Sequence, residues 1–346
     1  MTSVFCTLFD SNYLDKGLAL YWSMRKHIAD FRLYIFAFDD KCYEVLSDLN
    51  LENVIVIHVR EIMTTILQQL QTERTRAEFC WTCTPVVIEY VLLNCNEKIC
   101  TYIDADIYFF ADPVNIIQEI IDEGCSVGLV RHGFERNYNY GEWVFKLGRY
   151  CIEFNTFLNN KEGMQVLEEW KRDCLNWCYN RSEEGQLGDQ KYSYKWKLKY
   201  PCVHETRDLG AGVAPWNLHL YTILGKRNGN IWLQFRKRQF QLIFYHFEGM
   251  KYLNNGKVYL SLWDHCRAGM GKKITLLYGE YFSKISLIRK FLEDAYCITF
   301  GHMIVDKKIV VGDKGSLDQF LAIHGLFDGF KKWAGYRYNG YRKAKM

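Results

Sequence analysis

The stretch KICTYIDADIYFFADP, residues 98–113, ends a run that otherwise reads as a buried strand with two carboxylates, Asp104 and Asp106. One residue between them lets both side chains point to the same side of an extended backbone. Two hard oxygen donors on a rigid strand end suit Mn²⁺ or Mg²⁺, ions that bridge readily to a diphosphate. The plainer account is a helix-capping or turn pair. It is the poorer one, because Asp112 can cap the next helix with Pro113 at its first position. A lone D-x-D is common by chance, so the weight lies in its setting.

Other residues could also do chemistry. Cys80 and Cys83 form one C-x-x-C, and Cys174 and Cys178 could complete a zinc set, although such pairs in cysteine-rich chains are usually buried apolar residues. In DLGAGVAPWN (208–217), Gly210 and Gly212 permit close approach of a sugar or phosphate, and Trp216 offers an acceptor platform; a simple turn is the alternative.

These residues need a scaffold, and the apolar pattern supplies one. VFCTLF (4–9), LYIFAF (33–38), VIVIHV (54–59), ICTYID (99–104) and SVGLV (126–130) read as strands. Leu14, Leu18, Tyr21 and Ile28 recur at helical spacing, and 62–70, 85–93 and the segment from Pro113 to Gly124 also read as helices. Strand–helix alternation with near-continuous apolar strands predicts a mainly parallel sheet flanked by helices. Later, 150–159 reads as a strand. Leu167, Trp170, Cys174 and Cys178 mark the packing face of a helix over 162–179. NIWLQF (230–235) and FQLIFYHF (240–247) read as antiparallel strands after an Asn228-Gly229 turn, and 283–296 as a helix.

The bulk numbers agree with one large α/β unit. The chain has 346 residues, 49% hydrophobic and 16% aromatic, enough for a sizeable core, and its 4 prolines leave no obvious linker. A net charge of +4 is too small to imply nucleic acid, and no nucleic-acid partner is expected. The start lacks the pattern of a signal peptide and no long apolar run spans a membrane. Thirteen scattered cysteines point to reduced thiols, hence a cytoplasmic location.

YIDADIYFFADP resembles the D-x-D strand of metal-dependent GT-A nucleotide-sugar glycosyltransferases, and the wider pattern over about residues 3–252 is most similar to glycosyltransferase family 8. The resemblance implies a GT-A, Rossmann-like catalytic domain over 1–252. It would be followed by a helical extension over 253–329 and a basic, aromatic tail over 330–346. LFDSNY (8–13) lies where that family sets an Asp and an Asn-Tyr against the base. Asp10 and Asn12 can hydrogen-bond a base edge and Tyr13 can stack on it, whereas an Asx-turn is the structural alternative. Thr7 and Ala105 join the donor-binding set, as does Asn155 of FNTFLN (154–159) beside the sugar or acceptor. GDQKY (188–192) resembles the pair beside the anomeric carbon, which makes Asp189 and Gln190 the catalytic candidates.

FYHFEGMK (244–251) resembles the family's H-x-x-G-x-x-K segment, with a Gly-to-Lys spacing one residue shorter here. The resemblance makes His246 the third metal ligand and places Gly249, Lys251 and Gly212 at the diphosphate or sugar. Alone, His246 would read as a core histidine; with Asp104 and Asp106 it completes a workable Mn²⁺ set. A basic residue near 74–83 reaches the donor in the family. Arg76 is the choice, with Arg74 close behind.

The implied reaction is transfer of a hexose from a nucleoside-diphosphate sugar, UDP by family likeness, to a glycan or lipid-linked glycan acceptor such as a bacterial lipopolysaccharide core or capsule. Family 8 enzymes retain configuration; Asp189 as a base would instead give inversion. The tail carries six basic residues interleaved with Trp333, Tyr336, Tyr338 and Tyr341 and no acid. That mixture suits peripheral docking on an anionic membrane surface. The competing readings are a sugar-nucleotide-forming nucleotidyltransferase, for which the Gly-rich loop after the first strand is missing, and a noncatalytic glycan-binding protein, which leaves the spaced Asp, Asp and His unexplained.

Overall fold

The computed structural model describes residues 2–134, 140–183, 185–252, 258–262 and 272–301. The chain begins β1 (Ser3–Phe9), α1 (Leu14–His27), β2 (Phe31–Ala37), α2 (Asp40–Leu49), β3 (Val54–His58), α3 (Thr65–Glu73), α4 (Arg76–Leu93) and β4 (Ile99–Ile103). It continues with β5 (Ile107–Phe109), α5 (Val114–Asp122), β6 (Val127–Arg131), α6 (Tyr140–Leu147), β7 (Tyr150–Leu158), α7 (Lys161–Asn176), α8 (Trp196–Lys199) and β8 (Val203–Glu205). The main sheet has seven strands in the order β3-β2-β1-β4-β7-β6-β8. Only β7 runs against its neighbours in it; the other pairings are parallel.

Side chains of β1 divide between two cores. Phe5 and Phe9 pack with α1, α5 and residues of the last described helix, while Val4, Cys6 and Leu8 pack with α4 and α7. A sheet covered on both faces needs apolar residues at successive positions, which is why these strands read as runs rather than alternations. Gly17 lets α1 settle on the sheet: a Cβ there would stand 2.3 Å from the Phe9 ring.

The structure redraws several boundaries. The helix expected over 85–93 starts at Arg76, because Thr75 and Glu78 form a capping box: Thr75 N–H donates to Glu78 Oε2 at 2.9 Å and Glu78 N–H returns to Thr75 Oγ1. Pro85 thus lies inside the helix, where burial of Phe79, Cys83, Val87, Ile88, Val91 and Leu92 outweighs the lost backbone bond. Pro113 sits just before α5 rather than inside it, and Asp112 Oδ1 accepts from Val114 N–H at 2.9 Å. Helix α7 stops at Asn176, so Cys178 is buried beyond its end.

The late segments diverge most from expectation. β9 (Thr222–Arg227), β10 (Asn230–Phe235) and β11 (Arg238–Gln241) form a small antiparallel sheet, and Asn228 and Gly229, both at positive φ, make the β9–β10 turn. FQLIFYHF is two strands, not one. β12 (Phe244–His246) leaves β11 and pairs antiparallel with β5. The break follows the backbone bonds: Ile243 C=O accepts Phe110 N–H at 2.7 Å and Ala111 N–H at 3.1 Å, while Ile243 N–H donates to Gly210 C=O at 3.0 Å. β13 (Lys251–Tyr252) pairs with β14 (Val258–Tyr259). α9 (Thr275–Tyr296), longer than the helix expected over 283–296, docks on α1, where Arg289 Nε donates to the buried Asp15 carboxylate at 2.5 Å. The basic tail over 330–346 and most of the segment 253–329 lie outside the described residues. No described helix is long and apolar enough to cross a membrane.

Candidate functional site

After β1 the chain builds outward through β2 and β3, then returns to add β4 on the other side of β1. Such a reversal opens a crevice at the carboxyl ends of the two strands. Asp10 follows β1 and Asp104 follows β4 at that crevice. Asp104 N–H donates to Glu153 C=O of β7 at 3.1 Å, and Ile107 N–H turns back to Asp104 C=O at 3.2 Å, so the chain reverses into β5 at the motif itself. β12 then lies along β5 with His246 opposite Ile107, and Phe247 N–H donates to Asp106 C=O at 2.9 Å. A short strand pairing therefore delivers the imidazole to the two carboxylates.

His246 Nε2 is 3.0 Å from Asp106 Oδ1 and 3.7 Å from Asp104 Oδ2. One ligand atom from each of the three lies within 4.8 Å of the others. On the far side of the ring, Nδ1 is 2.6 Å from Glu153 Oε2, and Lys16 Nζ stands 3.4 Å from Asp106 Oδ2. Tyr102 OH donates to Asp104 Oδ1 at 3.0 Å. The edge of Trp216 meets the imidazole with ring centroids 5.6 Å apart. Asp106, His246 and Glu153 are buried, Asp104 half-buried.

Burial pushes the Asp104 carboxyl up to about 7, with the Asp106 charge adding to it and His246 opposing. Burial acts on Asp106 in the same sense, but Lys16 and His246 outweigh it and hold that carboxyl below the usual range. For His246, burial opposes the charged ring and is overcome by Asp106, which raises it. Carboxylates gathered away from water need positive charge close by. Two carboxylate oxygens and an imidazole nitrogen converging on one point fit a hard or borderline divalent cation, as expected for Mn²⁺ or Mg²⁺.

A second trio, Cys151, Glu153 and His246, shares the same imidazole. Neither trio includes Cys80, Cys83, Cys174 or Cys178, so no zinc set forms from these cysteines among the described residues.

The other candidates fall into two groups. Around the crevice, Asp10 accepts Asn12 N–H at 2.8 Å, which is the Asx-turn geometry, and forms an ion pair with Arg76. Arg76 also reaches Asp39 at 2.7 Å. Asn12 and Tyr13 are exposed, with the Tyr13 ring under the Lys16 ammonium at 4.0 Å. Ala105 is buried between the two aspartates. Thr7 on β1 and Asn155 on β7 are fully buried, and Thr7 Oγ1 and Asn155 Oδ1 lack a hydrogen-bond partner among the described residues. Asp189 is buried too; burial and then the charge on Asp104 push its carboxyl up to about 7. Gln190 Nε2 donates to Leu147 C=O at 2.9 Å.

The remaining candidates are placed as follows. Arg74 is buried and caps α7, donating to Cys174 C=O and Leu175 C=O at 2.8 Å each. Trp216 is buried, with Nε1 donating to His132 C=O at 2.6 Å, which removes it as an open acceptor platform. Gly212, at φ +74, passes close over β6 and β7, where a Cβ would stand 2.7 Å from Val130 Cγ1 and 3.0 Å from Arg131 C=O. Gly249 lies in the turn after β12, and Lys251 is exposed on β13.

The sequence reading passed over Lys16 and Glu153. For Glu153 a signal was present, since a lone acid in the apolar run YCIEFNTFL poses the same question as the D-x-D.

No protein-family model matches the chain. The curated Bacillus subtilis (strain 168) protein YfnF, described as uncharacterized, is 32% identical over 265 residues, covering 75% of this chain and 85% of YfnF. YfnD of the same organism, also uncharacterized, is 29% identical over 248 residues, covering 71% and 77%. Among solved structures, the galactosyltransferase LgtC in complex with donor and acceptor sugar analogs is similar, with a TM-score of 0.47 and 11% identity, over 71% of this chain and 87% of that one.

Proposed function

The chain belongs to the family of the Bacillus subtilis protein YfnF, and we propose that it is a GT-A glycosyltransferase of the family 8 type. It moves a hexose from a nucleoside-diphosphate sugar, UDP-linked by preference, to a glycan or lipid-linked glycan hydroxyl. One observation carries this reading: Asp104, Asp106 and His246, from two distant segments, converge at the carboxyl end of β4 beside the switch in strand order.

In this reading Asp104, Asp106 and His246 hold Mn²⁺ or Mg²⁺. When bound, the cation supplies Lewis-acid neutralisation of the charge that builds on the departing diphosphate. The chain's own groups do the rest. Tyr13 offers an exposed ring to the base and Asn12 an amide to its edge. Arg76, paired with Asp10 and Asp39 beside the same strand end, is the basic residue assigned to the donor by the family likeness. Lys251, exposed on β13, is assigned to the diphosphate by the family likeness. Asp189, buried on the chain segment that carries Gln190, is assigned with it to the reacting face by the family likeness. Retention at the anomeric carbon follows the family likeness, and NMR of the product decides it.

The test is incubation of the full chain with a panel of nucleotide sugars and Mn²⁺, following released nucleoside diphosphate. Release from one donor, lost on chelation, is expected. No release from any donor, with or without acceptor glycans, overturns the reading. Docking of the basic tail on an anionic leaflet is the companion proposal, and liposome flotation unchanged by removing 330–346 would refute it.

A further inference from the structure

We infer that Glu153 is a positioning residue for His246: its buried carboxylate holds the Nδ1 hydrogen of the imidazole, so that Nε2 is the nitrogen turned toward Asp104 and Asp106. The inference deepens the glycosyltransferase reading and rests on it in one respect, the assignment of those three side chains to a divalent cation.

The placement is built by the sheet. β7 runs antiparallel to β4 with Phe154 paired to Ile103, so the next pair outward is Glu153 and Asp104, joined through the Asp104 N–H at 3.1 Å. The strand pair that aims the first aspartate therefore also carries the carboxylate behind the histidine, while His246 arrives separately on β12. Glu153 is fully buried; Oε2 lies 2.6 Å from His246 Nδ1, and Oε1 has no hydrogen-bond partner among the described residues. The loop at Gly212 closes over it, close enough that a Cβ there would come within 3.3 Å of Glu153 Oε1.

A carboxylate with one oxygen unpaired among the described residues is expensive to bury, and an apolar side chain would fill the same space in β7 at lower cost. What an apolar residue cannot do is choose between the ring nitrogens. Without Glu153, the imidazole could flip about χ2 or carry its proton on either nitrogen. With Glu153 accepting at Nδ1, the ring has one orientation and one ligand atom. Imidazoles that bind metals usually donate their other N–H in this way, and removing the acceptor weakens metal binding about 10–100-fold.

The experiment uses the full chain and Mn²⁺ alone, with free Mn²⁺ measured by electron paramagnetic resonance, for wild type, Glu153→Gln and Glu153→Leu. The His246 ring nitrogens are read by long-range ¹H–¹⁵N NMR with diamagnetic Mg²⁺ bound, assigned with His246→Asn. Wild type should bind Mn²⁺ and show the hydrogen on Nδ1. Glu153→Gln should bind about tenfold more weakly or worse, because its amide can turn a donor toward Nδ1 and leave the hydrogen on Nε2. Glu153→Leu, if it folds, should be at least as weak; if it does not fold, the Gln variant decides. A folded Glu153→Gln that binds Mn²⁺ like wild type, with the ring hydrogen unmoved, overturns the inference and leaves the transferase reading standing. Weakened variants in a protein that turns over no nucleotide sugar uphold the inference and sink that reading. A wild-type chain that does not bind Mn²⁺ defeats both.

Discussion

Lys16, in the first turn of α1, places its ammonium 3.4 Å from Asp106 Oδ2, ninety residues away in sequence. A lysine at a helix amino end is disfavoured by the helix dipole, so the position needs the acids around it. Asp106 and the neighbouring Asp15 both raise its affinity for a proton against the effect of burial. Lys16, Asp106, His246 and Glu153 thus form a line of alternating sign running from α1 to β7, with successive gaps of 3.4, 3.0 and 2.6 Å.

Lys16 competes with a divalent cation for Asp106. Lys16→Met should therefore bind Mn²⁺ more tightly in the absence of nucleotide, by about fivefold, the equivalent of roughly 1 kcal/mol of like-charge repulsion removed. Isothermal titration calorimetry measures it. Unchanged or weaker binding would show that the ammonium does not oppose the cation.

Asp106 accepts from Lys16, has Oδ1 3.0 Å from His246 Nε2 and lies at the centre of the proposed cation site. Asp106→Ala should lower kcat by about 10²-fold or more rather than raise KM alone, since the cation's help is greatest as the diphosphate leaves. Near-normal turnover with excess Mn²⁺ rules out the assigned role.

The two arginines at the start of α4 should separate cleanly. Arg74→Met removes the cap on the last carbonyls of α7 and leaves Thr82 Oγ1 without its arginine partner. It should cost about 1–3 kcal/mol in urea unfolding while turnover by the folded fraction holds. Arg76→Met should leave stability nearly unchanged and raise the KM for the donor. The reverse pattern would exchange their roles.

His132 is a buried imidazole away from the proposed ligands, stacked on Phe134 at 4.7 Å with Nδ1 3.1 Å from Gly148 C=O. Burial lowers it to about 3. The folded state thus resists a proton that the unfolded chain accepts below about 6.5. Its contribution to stability is complete above that pH and is lost as pH falls from about 6.5 toward 3, by at most about 1.4 kcal/mol per pH unit. His132→Asn, whose amide can still donate to Gly148, should flatten the acid side of a plot of urea midpoint against pH. An equally steep fall in the variant would assign the acid sensitivity elsewhere.

Gly212→Ala tests the tight crossing over the site. The positive φ and the 2.7 Å approach to Val130 Cγ1 leave no room for a methyl group, so a loss of about 1–3 kcal/mol is expected in urea unfolding. Unchanged stability would show that the loop moves away freely.

Several elements were legible because their cause is local. The strands of the parallel half showed as apolar runs, since a sheet buried on both faces demands them, and Asn228-Gly229 showed as a turn because its backbone needs positive φ. The start of α4 was hidden by Pro85, although Thr75 and Glu78 carried the stronger signal. FQLIFYHF could not be divided by inspection, because the break at Leu242-Ile243 is set by which backbone groups lie opposite: β10 on one side, Phe110, Ala111 and Gly210 on the other.

Read alone, the sequence determined the chemistry on offer. A pair of carboxylates at a strand end and a histidine in an apolar run are residue types whose burial must be compensated, and local pattern is enough to reveal them. Only the tertiary structure decided that β12 pairs with β5, and so that His246 faces Asp106 with Glu153 behind it and Lys16 beyond. Those contacts span ninety residues or more, and what fixes them is strand register and the packing of α1 on the sheet, neither of which leaves a periodic trace in the chain.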